Sequence, residues 1–147
     1  AHQVGTLGSK KGSKKVYVGS AFNAADISFL EKDNIKTVIN CTDEVPNFHD
    51  GIQYFNIKIS DSCSQKIDFK TVDEILEKAC SSERKGNILV HCFAGRSRSI
   101  AIAMYIFHKF NHVHPCDSYE IIKEKRSHVS INTEFYNQLC EICKKDD

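Results

Sequence analysis

Two side chains near the middle of the chain have the types and spacing to do chemistry. Cys92 and Arg98 stand with five residues between them in the stretch 86–99, GNILVHCFAGRSRS. Five residues can curl into a cup whose backbone N–H groups point inward, and such a nest binds a tetrahedral anion. Gly95 supplies any positive φ that the cup needs. Arg98 offers a planar fork for two anion oxygens. The same positive field lowers the pKa of Cys92, and a thiolate at the floor of a phosphate-sized cup is a nucleophile aimed at phosphorus. A lone cysteine is more often a small core residue. Here strand, cysteine, glycine, arginine, hydroxyl and helix follow one another in the order this chemistry requires.

The flanking elements must hold the cup. Ile88-Leu89-Val90 after Gly86 reads as a short buried strand. The apolar run from Ile100 to Phe110 reads as a central helix whose N-terminus faces the cup and adds positive potential. Earlier in the chain, Val16-Tyr17-Val18 and Ile35–Asn40 read as strands, with a helix over Ala21–Lys32 between them. Ile52–Ser60 reads as a further strand. Asp68 suits the N-cap of a helix with Phe69, Val72, Ile75, Leu76 and Ala79 on one face, stopped by Lys85-Gly86. Pro115 fits the first turn of a helix reaching Arg126, and Asn132 caps the last one. The pattern predicts an α/β three-layer sandwich: a central mixed, mostly parallel sheet flanked by helices.

The 147 residues suit one domain. Residues 1–15, polar, glycine-rich and basic, read as a flexible lead in which Gly8-Ser9 has the composition of a cloning scar, and residues 16–147 as the catalytic domain. A formal net charge of +1 gives no drive towards nucleic acid. No apolar run approaches the length of a membrane span. Seven cysteines without framework spacing indicate a reducing compartment, cytoplasmic or nuclear. The histidines and cysteines lack metal-ligand spacing, so neither a metal nor another cofactor is expected.

His91 to Ser99, HCFAGRSRS, resembles the HCxxGxxR[ST] signature of cysteine-dependent protein phosphatases, and its Gly-x-Ser-Arg-Ser half resembles their dual-specificity branch. The similarity runs from about Val16 to Glu141. It implies the protein tyrosine phosphatase-like fold and a two-step hydrolysis of phosphotyrosine, phosphoserine and phosphothreonine in proteins, through a phosphocysteine on Cys92. Arg98 and the N–H groups of Phe93, Ala94, Gly95, Arg96, Ser97 and Arg98 would hold the phosphate. Ser99 would stabilise Cys92 as leaving group, His91 would buttress the loop, and Asn132 would brace it, although its capping role explains it equally well. The general acid implied is Asp61, in a loop after a strand and 31 residues before Cys92; Asp43, Glu44 and Asp50 are the reserves. Cys41 resembles a residue that forms a protective disulfide with the nucleophile in some relatives, with Cys63 and Cys80 as competitors.

The partner implied is a phosphorylated protein, and the chain is expected to be a monomer without a membrane segment. Two other readings stand beside this one. Lipid-directed relatives carry extra basic residues in the loop; Arg96 fills one such position but Phe93 fills the other, which leaves a phosphoinositide phosphatase as the alternative. A non-catalytic phosphate-binding module would have lost the nucleophile, which is present. The departures Tyr105-Ile106-Phe107-His108, Arg126-Ser127 and Ile131-Asn132 from common family sequences bear on subgroup and not on chemistry.

Overall fold

The computed structural model describes residues 1–8, 13–60, 62 and 65–146. Five strands, β1 (His2–Leu7), β2 (Lys14–Gly19), β3 (Ile35–Asn40), β4 (Gln53–Asn56) and β5 (Asn87–His91), form one sheet in the order β1-β2-β5-β3-β4. β1 runs antiparallel to β2, and the other pairings are parallel. The sheet is therefore mixed and mostly parallel, as the alternation of strands and helices predicts.

Side chains alternate across it. Val16, Val18, Ile39, Cys41, Ile88, Val90 and Cys92 join the larger core, while Tyr17, Val38 and Leu89 join a smaller one with Leu30 and Ala24, to which Ile35 is added by the register irregularity between Ile35 and Thr37. The period of two sends Cys92 to the same side as Ile88 and Val90. That side is covered by α3 (Phe69–Ala79), α4 (Arg98–Asn111), α5 (Pro115–Lys125) and α6 (Thr133–Asp146). The other carries the short α1 (Ala21–Ala25) and α2 (Ile27–Lys32). Every residue of α4 from Arg98 to Phe107 is buried, as its nearly continuous apolar sequence requires. Among the described residues no helix is long and apolar enough to cross a membrane.

Four local expectations change. The stretch read as a flexible lead contributes β1, whose Val4 and Leu7 are buried in the larger core, and Lys14 is a buried strand residue donating to the Gly86 carbonyl (3.4 Å). Gly5 admits this strand, because a Cβ there would lie 2.6 Å from the Phe107 ring. Lys10 and Lys11 lie outside the described residues. The helix read over Ala21–Lys32 is two helices: Asp26 Oδ1 accepts from the N–H groups of Ser28 and Phe29 and starts a new cap in the middle. The strand read over Ile52–Ser60 ends at Asn56. Its partner β3 stops at Asn40, whose carbonyl takes the Ile57 N–H (2.9 Å), and beyond that point no ladder remains to join. α3 ends at Ala79 with Cys80 as its C-cap, short of Lys85-Gly86.

Candidate active site

β5 lies between β2 and β3, with Gly19 and Asn40 in register beside His91. The chain leaves the sheet at this point, where strand ends on both sides leave a crevice, the usual ligand position in open α/β sheets. Residues 92–97 link the strand to α4. A peptide plane holds the carbonyl of one residue and the N–H of the next on opposite sides, so the partners of the carbonyls reveal where the N–H groups point.

All five carbonyls from Cys92 to Arg96 are held from outside the turn. His91 Nδ1 donates to Cys92 O (3.1 Å) and Ala21 N–H to Phe93 O (2.9 Å). Arg126 donates through Nη2 to Ala94 O (3.4 Å) and through Nε to Gly95 O (2.8 Å), and Ser130 N–H donates to Arg96 O (2.9 Å). The N–H groups of Phe93, Ala94, Gly95, Arg96 and Ser97 consequently turn to the inside, where they form an anion nest. Gly95 has φ +70°, and a Cβ there would lie 2.6 Å from both the Gly19 carbonyl oxygen and Arg126 Nη2. Glycine is required at this position both for its backbone conformation and for the close approach.

The Cys92 thiol is 3 % exposed and lies 3.3 Å from the Ser99 hydroxyl. Burial by itself would raise its pKa. The Ser99 hydroxyl and the N–H groups of Ser99, Ser97 and Gly95 outweigh that effect, and the thiol is lowered from its ordinary value. His91 is fully buried, and burial lowers its pKa, with Arg98 adding to the effect against the Cys92 carbonyl. A carbonyl only accepts, so Nδ1 carries the proton and the ring stays neutral. Such a histidine orients the loop and is a poor proton donor.

Arg98 reaches across to the loop after β3. Its Nη1 and Nη2 donate end-on to Glu44 Oε1 and Oε2, both at 2.8 Å, and Nη1 also donates to the Ile59 carbonyl (3.0 Å). The Nε edge of the guanidinium carries a second pair of N–H groups with the spacing of two phosphate oxygens. The Arg98 hydrogen bonds hold the Glu44 carboxyl at about 2, well below the usual range. Glu44 is thus unsuited to be the acid for which it was a reserve, and instead fixes the arginine. No local sequence signal marks this role: it follows from β3 and β5 being parallel neighbours, so that the loops after them emerge together. Asp43 and Asp50 are exposed, and Asp61 lies outside the described residues.

α6 and the segment before it complete the surroundings. Asn132 N–H donates to the Ser97 hydroxyl (2.8 Å), while its side chain accepts from Glu134 and Phe135 N–H groups, so Asn132 both braces the loop and caps the helix. Gln138 donates to the Gln65 carbonyl (2.9 Å) and accepts from Ile67 N–H (2.7 Å), tying down the chain just past residue 61. The Arg96 side chain binds the His128 carbonyl (3.2 Å).

Cys41 is fully buried and follows Asn40, the register partner of His91, so Cys41 and Cys92 leave neighbouring strands side by side. Burial, then the neighbouring Cys92, pushes the Cys41 thiol well up. Cys80 belongs to the opposite end of the sheet, near Lys14, which binds Gly86 before β5 begins. The length of β5, about 16 Å at the usual strand rise, separates it from Cys92. Cys63 lies outside the described residues.

Comparison with known proteins agrees with this architecture. The family model for the dual specificity phosphatase catalytic domain matches residues 16–145. Human dual specificity protein phosphatase 9 is 34% identical over 136 residues, which cover 86% of this chain and 34% of that protein. Drosophila melanogaster protein phosphatase Slingshot is 31% identical over 126 residues, 84% of this chain and 12% of the relative. This chain thus spans about a third or less of the length of these curated relatives. Among solved structures, human DUSP28 superimposes with a TM-score of 0.81 over 100% of both chains at 19% identity, a likeness of fold. The crystal structure of DUSP15 gives 0.78 at 26% identity, covering 94% of this chain and 86% of the other. With the match running from β2 into α6 and taking in the whole loop around Cys92, the chain belongs to the dual specificity phosphatase catalytic-domain family.

Proposed function

We propose that this chain hydrolyses phosphomonoesters on tyrosine, serine and threonine side chains of proteins. The observation that carries the reading is the set of five consecutive carbonyls anchored outward around a buried, acidified Cys92. That arrangement aims five N–H groups and one thiolate at a single tetrahedral group.

In the first step the Cys92 thiolate attacks phosphorus in line. The S–P bond forms as the ester P–O bond breaks, and Asp61 gives its proton to the departing oxygen. The inward N–H groups and the Nε edge of Arg98 hold the equatorial oxygens, whose charge they neutralise without reorganising. Water then attacks the phosphocysteine. Asp61 takes a proton from that water, the S–P bond breaks, and inorganic phosphate leaves. The Ser99 hydroxyl, 3.3 Å from Sγ, donates to the thiolate as it departs. Asp61 is assigned as the acid because Ile59, two residues earlier, touches Arg98 through its carbonyl. The carboxylate of Glu44 is already committed to the arginine.

The same reading takes the chain as a monomer acting on phosphorylated proteins in a reducing compartment, in the cytoplasm or nucleus. The seven cysteines without framework spacing support that compartment.

The test is phosphate release from a phosphotyrosine peptide, a phosphothreonine peptide and a phosphorylated inositol lipid, with a chelator present and Cys92→Ser as the blank. Turnover of both peptides above the lipid is expected. A tenfold preference for the lipid would transfer the function to lipid signalling, and no turnover above the blank would remove the enzymatic reading.

A further inference from the structure

Among the described residues five large apolar side chains are strongly exposed, and two of them stand together at the rim of the phosphate cup. Phe22 on α1 is 77% exposed, and Phe93, the residue after the nucleophile, is 52% exposed. Their ring centroids are 6.4 Å apart with the planes tilted by 53°. The backbone beneath them is fixed. Ala21 N–H is bonded to the Phe93 carbonyl, which ties the first turn of α1 to the loop. A reciprocal cap holds that turn: Asn23 N–H donates to the Ser20 hydroxyl (3.3 Å), and Ser20 N–H donates to Asn23 Oδ1 (2.8 Å). Two phenylalanines held in water on a fixed frame leave apolar surface uncovered, and nothing in the packing of the chain requires them there.

We propose that Phe22 and Phe93 form a wall for the phenyl ring of phosphotyrosine, so that this site favours phosphotyrosine over phosphothreonine. The inference rests on the phosphatase reading above and deepens it. In phosphotyrosine the aromatic ring is bonded to the bridging oxygen and must rise directly from the mouth of the cup. In phosphoserine and phosphothreonine the short side chain brings the polar peptide backbone to the same place. An aromatic wall at the mouth covers apolar surface in the first case and polar surface in the second. The spacing of the two rings lies within the range of aromatic contacts, to which a third ring can add. Phe93 is bound by its backbone to the phosphate-holding loop, so the wall and the cup move as one unit.

The experiment measures kcat/KM of wild type, Phe22→Ala and Phe22→Tyr on three substrates. These are a phosphotyrosine peptide, a phosphothreonine peptide with the same flanking residues, and a small alkyl phosphate. Comparing variant with wild type on each substrate cancels the intrinsic difference between aryl and alkyl leaving groups. Phe22→Ala is expected to lower kcat/KM for phosphotyrosine by about tenfold, the size of one aromatic contact with its partial burial. The other two substrates should stay within about twofold, and Phe22→Tyr should behave as wild type. Equal losses on both peptides, or no loss on either, would overturn the wall while leaving the phosphatase reading in place. Failure of wild type on all three substrates would overturn both.

Discussion

The carboxylate of Glu44 grips Arg98 end-on, with both oxygens 2.8 Å from the two terminal nitrogens, although the two residues are separated by 54 positions in the chain. The arginine side chain is 7% exposed and the glutamate side chain 47%. With this much solvent at the carboxylate, the pair adds under about 1 kcal/mol to folding. Its value is orientation: Glu44 holds Nη1 and Nη2 end-on, which fixes the plane of the guanidinium and, on the proposed mechanism, leaves the Nε edge for the phosphate. Glu44→Ala is expected to reduce kcat/KM about tenfold, or ~1.4 kcal/mol of transition-state stabilisation, with little change in Tm. A drop in Tm as large as the loss of activity would make Glu44 a folding residue instead. The folded pKa of about 2 is below the ordinary 4.5. The contribution of this group to stability is therefore complete above pH 4.5 and lost as pH falls towards 2. Denaturation midpoints between pH 5 and pH 8 should show no step from Glu44.

Ser99 and Cys92 make a prediction in pH. The Ser99 hydroxyl is foremost among the groups that lower the Cys92 thiol against its burial. Removing it leaves burial less opposed, so in Ser99→Ala the thiol pKa rises. The rate of inactivation by iodoacetate, followed against pH, should show its midpoint moved upward. The phosphocysteine should also accumulate, because the departing thiolate has lost a donor; rapid-quench trapping of labelled enzyme would reveal it. An unchanged midpoint would mean that the N–H groups of the loop acidify Cys92 by themselves.

Arg126 holds the cup open from behind. It is 4% exposed and binds the carbonyls of both Ala94 and Gly95, with His2 Nδ1 as a third partner (2.8 Å). Arg126→Met keeps the apolar stem but strands two carbonyls whose orientation defines the nest. A cost of about 3 kcal/mol in stability is expected, with loss of most inhibition by vanadate or inorganic phosphate. Arg126→Lys should recover part of the stability and little of the anion binding, since an ammonium is a single point of contact. Full phosphate affinity in the Met variant would show that the loop keeps its shape without the guanidinium.

How far these features could be read from sequence follows the range of the interactions. The strand before Cys92, the glycine within the cup and the helix after Arg98 are contiguous, and their order is visible in one line of residues. The caps at Asp68 and Asn132 act over three positions and were equally legible. Glu44 and Arg126 were not, because each meets the loop across 30 or more residues and nothing local marks them. β1 was hidden for another reason: it lies at the edge of the sheet, its sequence HQVGTL is largely polar and holds a glycine, and only Val4 and Leu7 face the core. The break at Asp26 was a matter of competition, in which a single carboxylate capped a new helix within a sequence that otherwise reads as one.

Asp61, the proposed acid, can be told apart by experiment from the groups that anchor its chain neighbours. Gln138 on α6 ties Gln65 and Ile67, and Arg98 ties Ile59, three described residues that flank position 61 in the chain. Protonation matters most when the leaving group is a poor one. Asp61→Asn should therefore reduce kcat on an alkyl phosphate by about a hundredfold or more, but reduce it far less on p-nitrophenyl phosphate, whose phenolate leaves unaided. The limb of the alkyl-substrate pH profile that falls as the acid ionises should disappear with it. Gln138→Ala keeps the acid and loosens one anchor, so the same leaving-group dependence should appear in weaker form, with the pH limb retained. If Asp61→Asn slowed both substrates equally, residue 61 would be acting on binding, and Asp43 would become the next carboxylate to replace.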